Sequence, residues 1–317
     1  MDESSVTIRE VMLRDGLQNI RQFIPTEVKI ELFRLIVASG LKDIEITSFV
    51  SPGAVPQFRD APQLAQAILK ENPEGAKISA LIPNLKGAQN ALKSGVRRLS
   101  FVMSVSESHN FNNVRRTTAE SVEALKKIQD LKKDYPDMIL KVGMAVVFGC
   151  PFEGKIRPQV TLRFIRQFYH LGCRNISLAD TVGFGNPKEV REVSRLCVNE
   201  FPDVTFGIHL HNTRGLGLAN AFTAYESGIH ILDGSIGGLG GCPFAPGASG
   251  NTSTEDLVFM FEDMGVRTGV NMDALLKVSR YFKSVKRDVC FTSSILEAGI
   301  PIPRGTLTTP SPPLLGP

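Results

Sequence analysis

A parallel (β/α)8 barrel, the TIM-barrel class of α/β fold, with additional helices after it, is the architecture this sequence predicts. Short apolar runs alternate with longer amphipathic runs eight times along the chain. Each amphipathic run is long enough to be the crossover between two parallel strands. No linker splits the 317 residues, and one barrel of this class takes about 250 residues. A doubly wound open sheet is the alternative, but eight units of similar size close more naturally into a barrel.

Taken in order, residues 6–11 read as the first strand and residues 26–39 as a helix, capped by Thr26 and stopped at Gly40. Residues 44–46 form a second strand and residues 60–70 a helix. Residues 77–82, 85–94 and 97–103 give strand, helix, strand. Residues 118–133 are a helix with Val122, Leu125 and Ile128 on one face. Residues 139–148 read as a buried strand and residues 160–171 as a helix ended by Gly172. Strands at 175–178, 204–210 and 230–232 alternate with helices at 187–199, 216–227 and 254–263. The catalytic barrel is thus expected over residues 1–270, with a helical extension packed on it over 271–305 that includes helices within 272–286. Residues 306–317, rich in proline, are expected to be a disordered tail.

Composition narrows the function. Hydrophobic residues make up 42% and charged residues 21%, which is globular. The 36 Lys and Arg exceed the 32 Asp and Glu by four, but they are scattered in short pairs such as Arg97-Arg98, Arg115-Arg116 and Lys132-Lys133. That pattern argues against a nucleic-acid partner and suits a modest patch for an anionic small molecule. Five cysteines without a CxxC pair imply neither a disulfide framework nor a zinc ribbon, and point to a reducing compartment. The start, Met1-Asp2-Glu3-Ser4-Ser5, has no apolar signal core, so a cytoplasmic protein is expected. No run approaches the roughly 18 apolar residues of a membrane span, so no membrane partner is expected.

In such a barrel, chemistry sits where strands end and loops begin. The first strand runs into Arg14-Asp15-Gly16; taken alone this also fits an Asp-Gly turn. Glu45 stands between Ile44 and Ile46, so strand alternation sends it into the barrel interior. A lone buried carboxylate is costly, so it needs a cationic partner. Asp180 closes the sixth strand and could equally be a helix cap. His209 and His211 are two apart on the seventh strand, so both point the same way and can converge on one ion at its end. Two imidazoles plus a carboxylate are a common divalent-metal set. His109 also falls near a strand end. After the eighth strand, glycines at 237, 238, 240, 241, 247 and 250 surround Cys242. That suits a mobile lid or a close approach to ligand, with Cys242 exposed and reactive. No Gly-Lys-Ser/Thr follows, so it is not a nucleotide-phosphate loop of the Walker type.

Together these residues make the chain resemble the 3-hydroxy-3-methylglutaryl-CoA lyases, within a wider family of metal-dependent barrel lyases and Claisen-type synthases. The markers are Arg14-Asp15-Gly16-Leu17-Gln18-Asn19, Glu45 through Thr47-Ser48-Phe49-Val50-Ser51-Pro52, and Pro83-Asn84-Leu85-Lys86-Gly87. They continue with Ser104 to Asn110, Gly149-Cys150-Pro151-Phe152-Glu153-Gly154-Lys155-Ile156, and Gly240-Gly241-Cys242-Pro243 through Asn251. The resemblance runs over residues 7–270. It implies that Asp15, His209, His211 and Asn251 bind a divalent cation, Mg²⁺ or Mn²⁺. It implies catalytic or active-site roles for Arg14, Asp15, Glu45, Asp180, His209 and Cys242, and an acyl-CoA substrate cleaved between carbons. A related 3-hydroxyacyl-CoA, such as citramalyl-CoA or a longer branched 3-hydroxyglutaryl-CoA, is the alternative substrate. Glu45 and Asp180 are expected to position Arg14, Asp15 or His209 to take the hydroxyl proton, and Cys242 to protonate the enolate. Lys86 and a mobile loop at 110–116 are the places for the coenzyme. A homodimer or higher homo-oligomer is expected. The sequence departs from the pattern at Met12-Leu13, Asn19-Ile20-Arg21, Ile46 and Asn212, of which Arg21 and Ile46 are expected to reshape the substrate pocket.

Overall fold

The computed structural model describes residues 5–71, 75–241 and 250–301. Its strands are β1 (Thr7–Glu10), β2 (Asp43–Ser48), β3 (Lys77–Ile82), β4 (Arg98–Ser104), β5 (Ile139–Ala145), β6 (Asn175–Asp180), β7 (Thr205–Leu210) and β8 (Ile231–Gly234). They form one closed parallel barrel in sequence order, with β8 pairing back onto β1. Around it run α1 (Thr26–Ala38), α2 (Ala61–Glu71), α3 (Leu85–Lys93), α4 (Glu107–Val114), α5 (Thr118–Asp130), α6 (Pro158–His170), α7 (Pro187–Glu200), α8 (Gly217–Glu226) and α9 (Thr254–Asp263). Helices α10 (Met272–Val285) and α11 (Ser294–Ala298) follow the barrel.

The strands alternate two kinds of residue, as a pleated ribbon requires. Ile44, Phe101, Val142, Leu178 and Ile208 are buried in one apolar core with helix residues such as Leu32, Phe33 and Leu64. The intervening positions point into the barrel and are polar: Glu45, Ser100, Lys141, Ser177, His209 and Asp233. At its base, Arg9 bridges Asp43 at 3.4 Å and Asp233 at 3.0 Å. The barrel interior is therefore an ionic lattice under an open mouth, not an apolar plug.

Several sequence expectations shift. The helix expected to be capped by Thr26 starts after Pro25, and the Thr26 hydroxyl donates to Asp60 instead, at 2.8 Å. The strand expected to reach residue 148 ends at Ala145, because Val146 takes a left-handed backbone with φ 58°. For a β-branched residue that is a strained conformation, and it turns the chain out of the ladder. The expected loop at 110–116 is largely the helix α4. Ser106 caps it by accepting from His109 N–H, and the buried Asn110 side chain ties it to Ser104, Arg116, Thr117 and Ser121. The extension packs back on the barrel: Asn271 N–H donates to Ser39, Ser293 to Asp256, and Thr292 N–H to Gly237. The expected tail at 306–317 lies outside the described residues.

Candidate active site

The site begins where β1 stops. Arg14, Asp15 and Gly16 N–H groups all point to the Val11 carbonyl, at 3.1, 2.7 and 3.3 Å, winding residues 12–16 into a single π-turn. Such turns are rare and concentrate at functional sites. Buried Glu10 pins it: its carboxylate accepts from Met12 N–H at 2.8 Å, from Ile236 N–H at 3.1 Å and from the Thr254 hydroxyl at 2.6 Å. The turn lays Arg14 and Asp15 side by side over a cavity of about 340 Å³ at the mouth of the barrel.

Arg14 is held at two atoms. Its Nε donates to Glu45 Oε1 at 2.5 Å, and its Nη1 pairs with Asp15 Oδ1. The carboxylate of Glu45, expected to need a cation, has two: Arg14, and Lys141 Nζ at 3.3 Å from Oε2. Burial alone would push Glu45 upward, but Lys141 and Arg14 outweigh it and hold it at about 2. Asp15 behaves alike: burial opposes ionisation, Arg14 and the imidazoles favour it, and its pKa is also about 2.

His209 and His211 converge as their spacing predicts. Their Nε2 atoms stand 3.1 Å apart, and ligand atoms of Asp15, His209 and His211 lie within 4.8 Å of one another. Asp233 approaches His209 Nδ1 at 3.3 Å. That contact favours the proton on Nδ1 and leaves the Nε2 lone pair facing the cluster, as in the carboxylate–histidine–metal arrangement. Burial, His209 and Arg14 push His211 down to about 4, against the pull of Asp15, so it is neutral and able to ligate at neutral pH. Beyond β7, His211 pairs with Asn251 in an isolated bridge, and Asn212 N–H bonds the Gly250 carbonyl at 2.9 Å. Asn251 Nδ2 donates to Asp15 Oδ2 at 2.6 Å and to the Leu239 carbonyl at 2.8 Å. Its buried Oδ1 has no hydrogen-bond partner among the described residues. Two imine nitrogens, an ionised carboxylate and an orphaned amide oxygen make a donor set that fits a divalent cation.

The space for this is kept by Gly240. With φ 111°, a Cβ there would lie 2.3 Å from Asn251 Nδ2 and 3.1 Å from Asp15 Oδ2.

Not every expected residue joins the group. Asp180 has the wrong parity: Ser177, Ala179 and Thr181 line the cavity, while Asp180 caps the turn after β6 through Phe184 and Gly185 N–H at 2.8 and 3.0 Å. Burial raises its pKa to about 6, against the pull of those two N–H groups. It does not position Arg14. Ile46 is fully buried in the core, at an irregularity of register between Glu45 and Thr47, and Arg21 is exposed; neither lines the cavity. Cys242 lies outside the described residues, although Gly241 before it lines the cavity. His109 lines the cavity and its Nδ1 meets the Ser104 hydroxyl at 2.6 Å. Conversely, Lys141 and Asp233 escaped the sequence reading. Each carries the signal that revealed Glu45, a charged residue at an inward position of an otherwise apolar strand.

A family model described as HMGL-like matches residues 5–282. The chain is 41% identical to hydroxymethylglutaryl-CoA lyase YngG of Bacillus subtilis, over 88% of this chain and 92% of that protein. It is 37% identical to (R)-citramalyl-CoA lyase of Chloroflexus aurantiacus, over 88% of this chain and 90% of that protein. An HMG-CoA lyase from Acinetobacter baumannii, solved in complex with coenzyme A and 3-methylmalate, superposes with a TM-score of 0.89 at 38% identity, covering 98% of this chain and 99% of the other. On the strength of a match spanning the whole barrel, this chain belongs to the HMGL-like family.

Proposed function

We propose that this protein is a divalent-metal-dependent carbon–carbon lyase that cleaves 3-hydroxy-3-methylglutaryl-CoA to acetyl-CoA and acetoacetate. The observation that carries the reading is the single cluster of Asp15, His209, His211 and Asn251 beside the Arg14 guanidinium, at the mouth of a barrel similar throughout to hydroxymethylglutaryl-CoA lyases.

Cleavage creates negative charge twice: on the 3-hydroxyl oxygen as it loses its proton, and on the thioester oxygen as the enolate forms. A Mg²⁺ or Mn²⁺ held by the four ligands would acidify the hydroxyl and stabilise its anion as a Lewis acid. Asp15 takes the hydroxyl proton. A ligating imidazole has committed its one lone pair, whereas a carboxylate keeps acceptor capacity, and an acidified hydroxyl needs only a weak base. Arg14 stabilises the enolate. Its contacts to Glu45 and Asp15 use Nε and Nη1, and a guanidinium has five donors, so donors remain for the thioester oxygen. Cys242, next to cavity-lining Gly241, is assigned as proton donor to the enolate carbon. Asp180 acts from outside the cavity, by fixing the turn after β6.

A panel of CoA thioesters with product identification tests the proposal. Metal-dependent release of equimolar acetyl-CoA and acetoacetate is expected. Pyruvate with acetyl-CoA from citramalyl-CoA at a higher kcat/KM would favour the citramalyl-CoA reading, which the Chloroflexus relative supports. Free CoA without acetyl-CoA would sink both. The homodimer or larger oligomer expected above completes the proposal, and sedimentation velocity checks it: the chain alone has a mass of 34.6 kDa.

A further inference from the structure

We propose that Lys141 is a positioning residue of this site: its ammonium holds the second oxygen of the carboxylate that orients Arg14, and keeps that carboxylate in place. The inference rests on reading the cavity as a lyase site.

Lys141 occupies an inward position of β5, in register with Ser100 on β4 and Asn175 on β6. Its Nζ lies 3.3 Å from Glu45 Oε2, while the other oxygen of that carboxylate holds Arg14 at 2.5 Å. Glu45 is 1% exposed, so its charge persists only with cations on it. Remove Lys141, and Arg14 becomes the counter-ion of both Glu45 and Asp15 with no help from below. The guanidinium would then be drawn toward the floor and away from the substrate oxygen.

Asp233 has its own partners, His209 Nδ1 at 3.3 Å and Arg9 at 3.0 Å. Three carboxylates line the cavity, Asp15, Glu45 and Asp233, and among the described lining residues Arg14 and Lys141 are the Lys and Arg cations that face them. The next inward positions of β5 are Gly143 and Ala145, so its own strand places no bulky side chain between Lys141 and the reacting centre.

The test compares Lys141→Met, of similar length without charge, with Lys141→Arg. Misplacing Arg14 should cost about 100-fold in kcat in K141M with KM and Mn²⁺ affinity each within about threefold, and K141R should recover to within about fivefold of wild type. Wild-type turnover on the thioester panel tests the lyase reading by itself. Lys141 is tested without turnover by the Arg14 Nε–H resonance of the labelled protein. It should be sharp and slow to exchange in wild type and K141R, and exchange-broadened in K141M. Lys141→Gln replaces K141M should the latter not fold. An unchanged Arg14 resonance in the uncharged variant, or equal kcat losses in K141M and K141R, would overturn the proposal.

Discussion

In the proposed mechanism Arg14 is the residue on which charge stabilisation turns, and its environment is built to hold it still. Glu45 fixes Nε and Asp15 fixes Nη1, both as ionised carboxylates. Arg14→Gln should leave bound metal unchanged and lower kcat about 10³-fold, or about 4 kcal/mol of transition-state stabilisation; metal analysis beside steady-state kinetics checks both halves. A near-normal rate would remove Arg14 from the mechanism. Asp233→Asn should weaken metal binding about 10- to 100-fold by freeing the His209 ring, read by Mn²⁺ titration. The sequence made much of this legible. Alternation placed Glu45, His209 and His211 inward, and the resemblance supplied Asn251, whose distance of 236 positions from Asp15 no local pattern bridges. Lys141, between Leu140 and Val142, carried the same alternation as Glu45 and was passed over, and Asp233 falls one residue beyond the strand read at 230–232. Asp180 was misplaced because a carboxylate at a strand end looks the same whether its parity turns it to the cavity or to a loop.

At the scale of elements, the site is an assembly of strand ends clamped by a few buried groups. Glu10 ties together the π-turn that carries Arg14 and Asp15, the turn at Ile236 and the start of α9 beyond Asn251. Burial raises its pKa from 4.5 to about 8, against the hydrogen bonds of Thr254 and the two N–H groups. The folded state holds this proton more tightly than the unfolded chain does. Its contribution is complete below about 4.5 and is lost as pH rises through about 8. Urea unfolding of the metal-free protein should therefore show stability falling over that window, and Glu10→Gln should flatten the fall. An unaltered slope would contradict it. Gly240→Ala should cost at least about tenfold in Mn²⁺ affinity and lower Tm as well, because its Cβ meets the Asn251 amide and a φ of 111° strains any residue but glycine. Helix α4 was not foreseen, because the polar run at 110–116 reads as a loop. What makes it a helix is tertiary, the buried Asn110 network and the Ser106 cap. The shortened β5 has the same kind of cause: Val146 leaves the ladder because Thr181 and Ala179 of the neighbouring strand end capture its N–H and that of Val147.

At the scale of the whole molecule, the order of eight strand–helix units was plain because length and alternation reinforce each other in every unit. Closing the sheet brings together residues far apart in the chain and turns their charged positions into one interior. Arg9, Asp43 and Asp233 form its base, Glu45 and Lys141 its middle, and Asp15, His209, His211 and Asn251 its mouth. Among the described residues no helix is long and apolar enough to cross a membrane. The proposed chemistry requires that one cation gather at that mouth. Anomalous diffraction at the manganese edge from Mn²⁺-soaked crystals tests it most directly. One peak per chain is predicted within bonding distance of Asp15, His209, His211 and Asn251, next to Arg14. A site empty at saturating Mn²⁺, or a peak held by other residues, would contradict it.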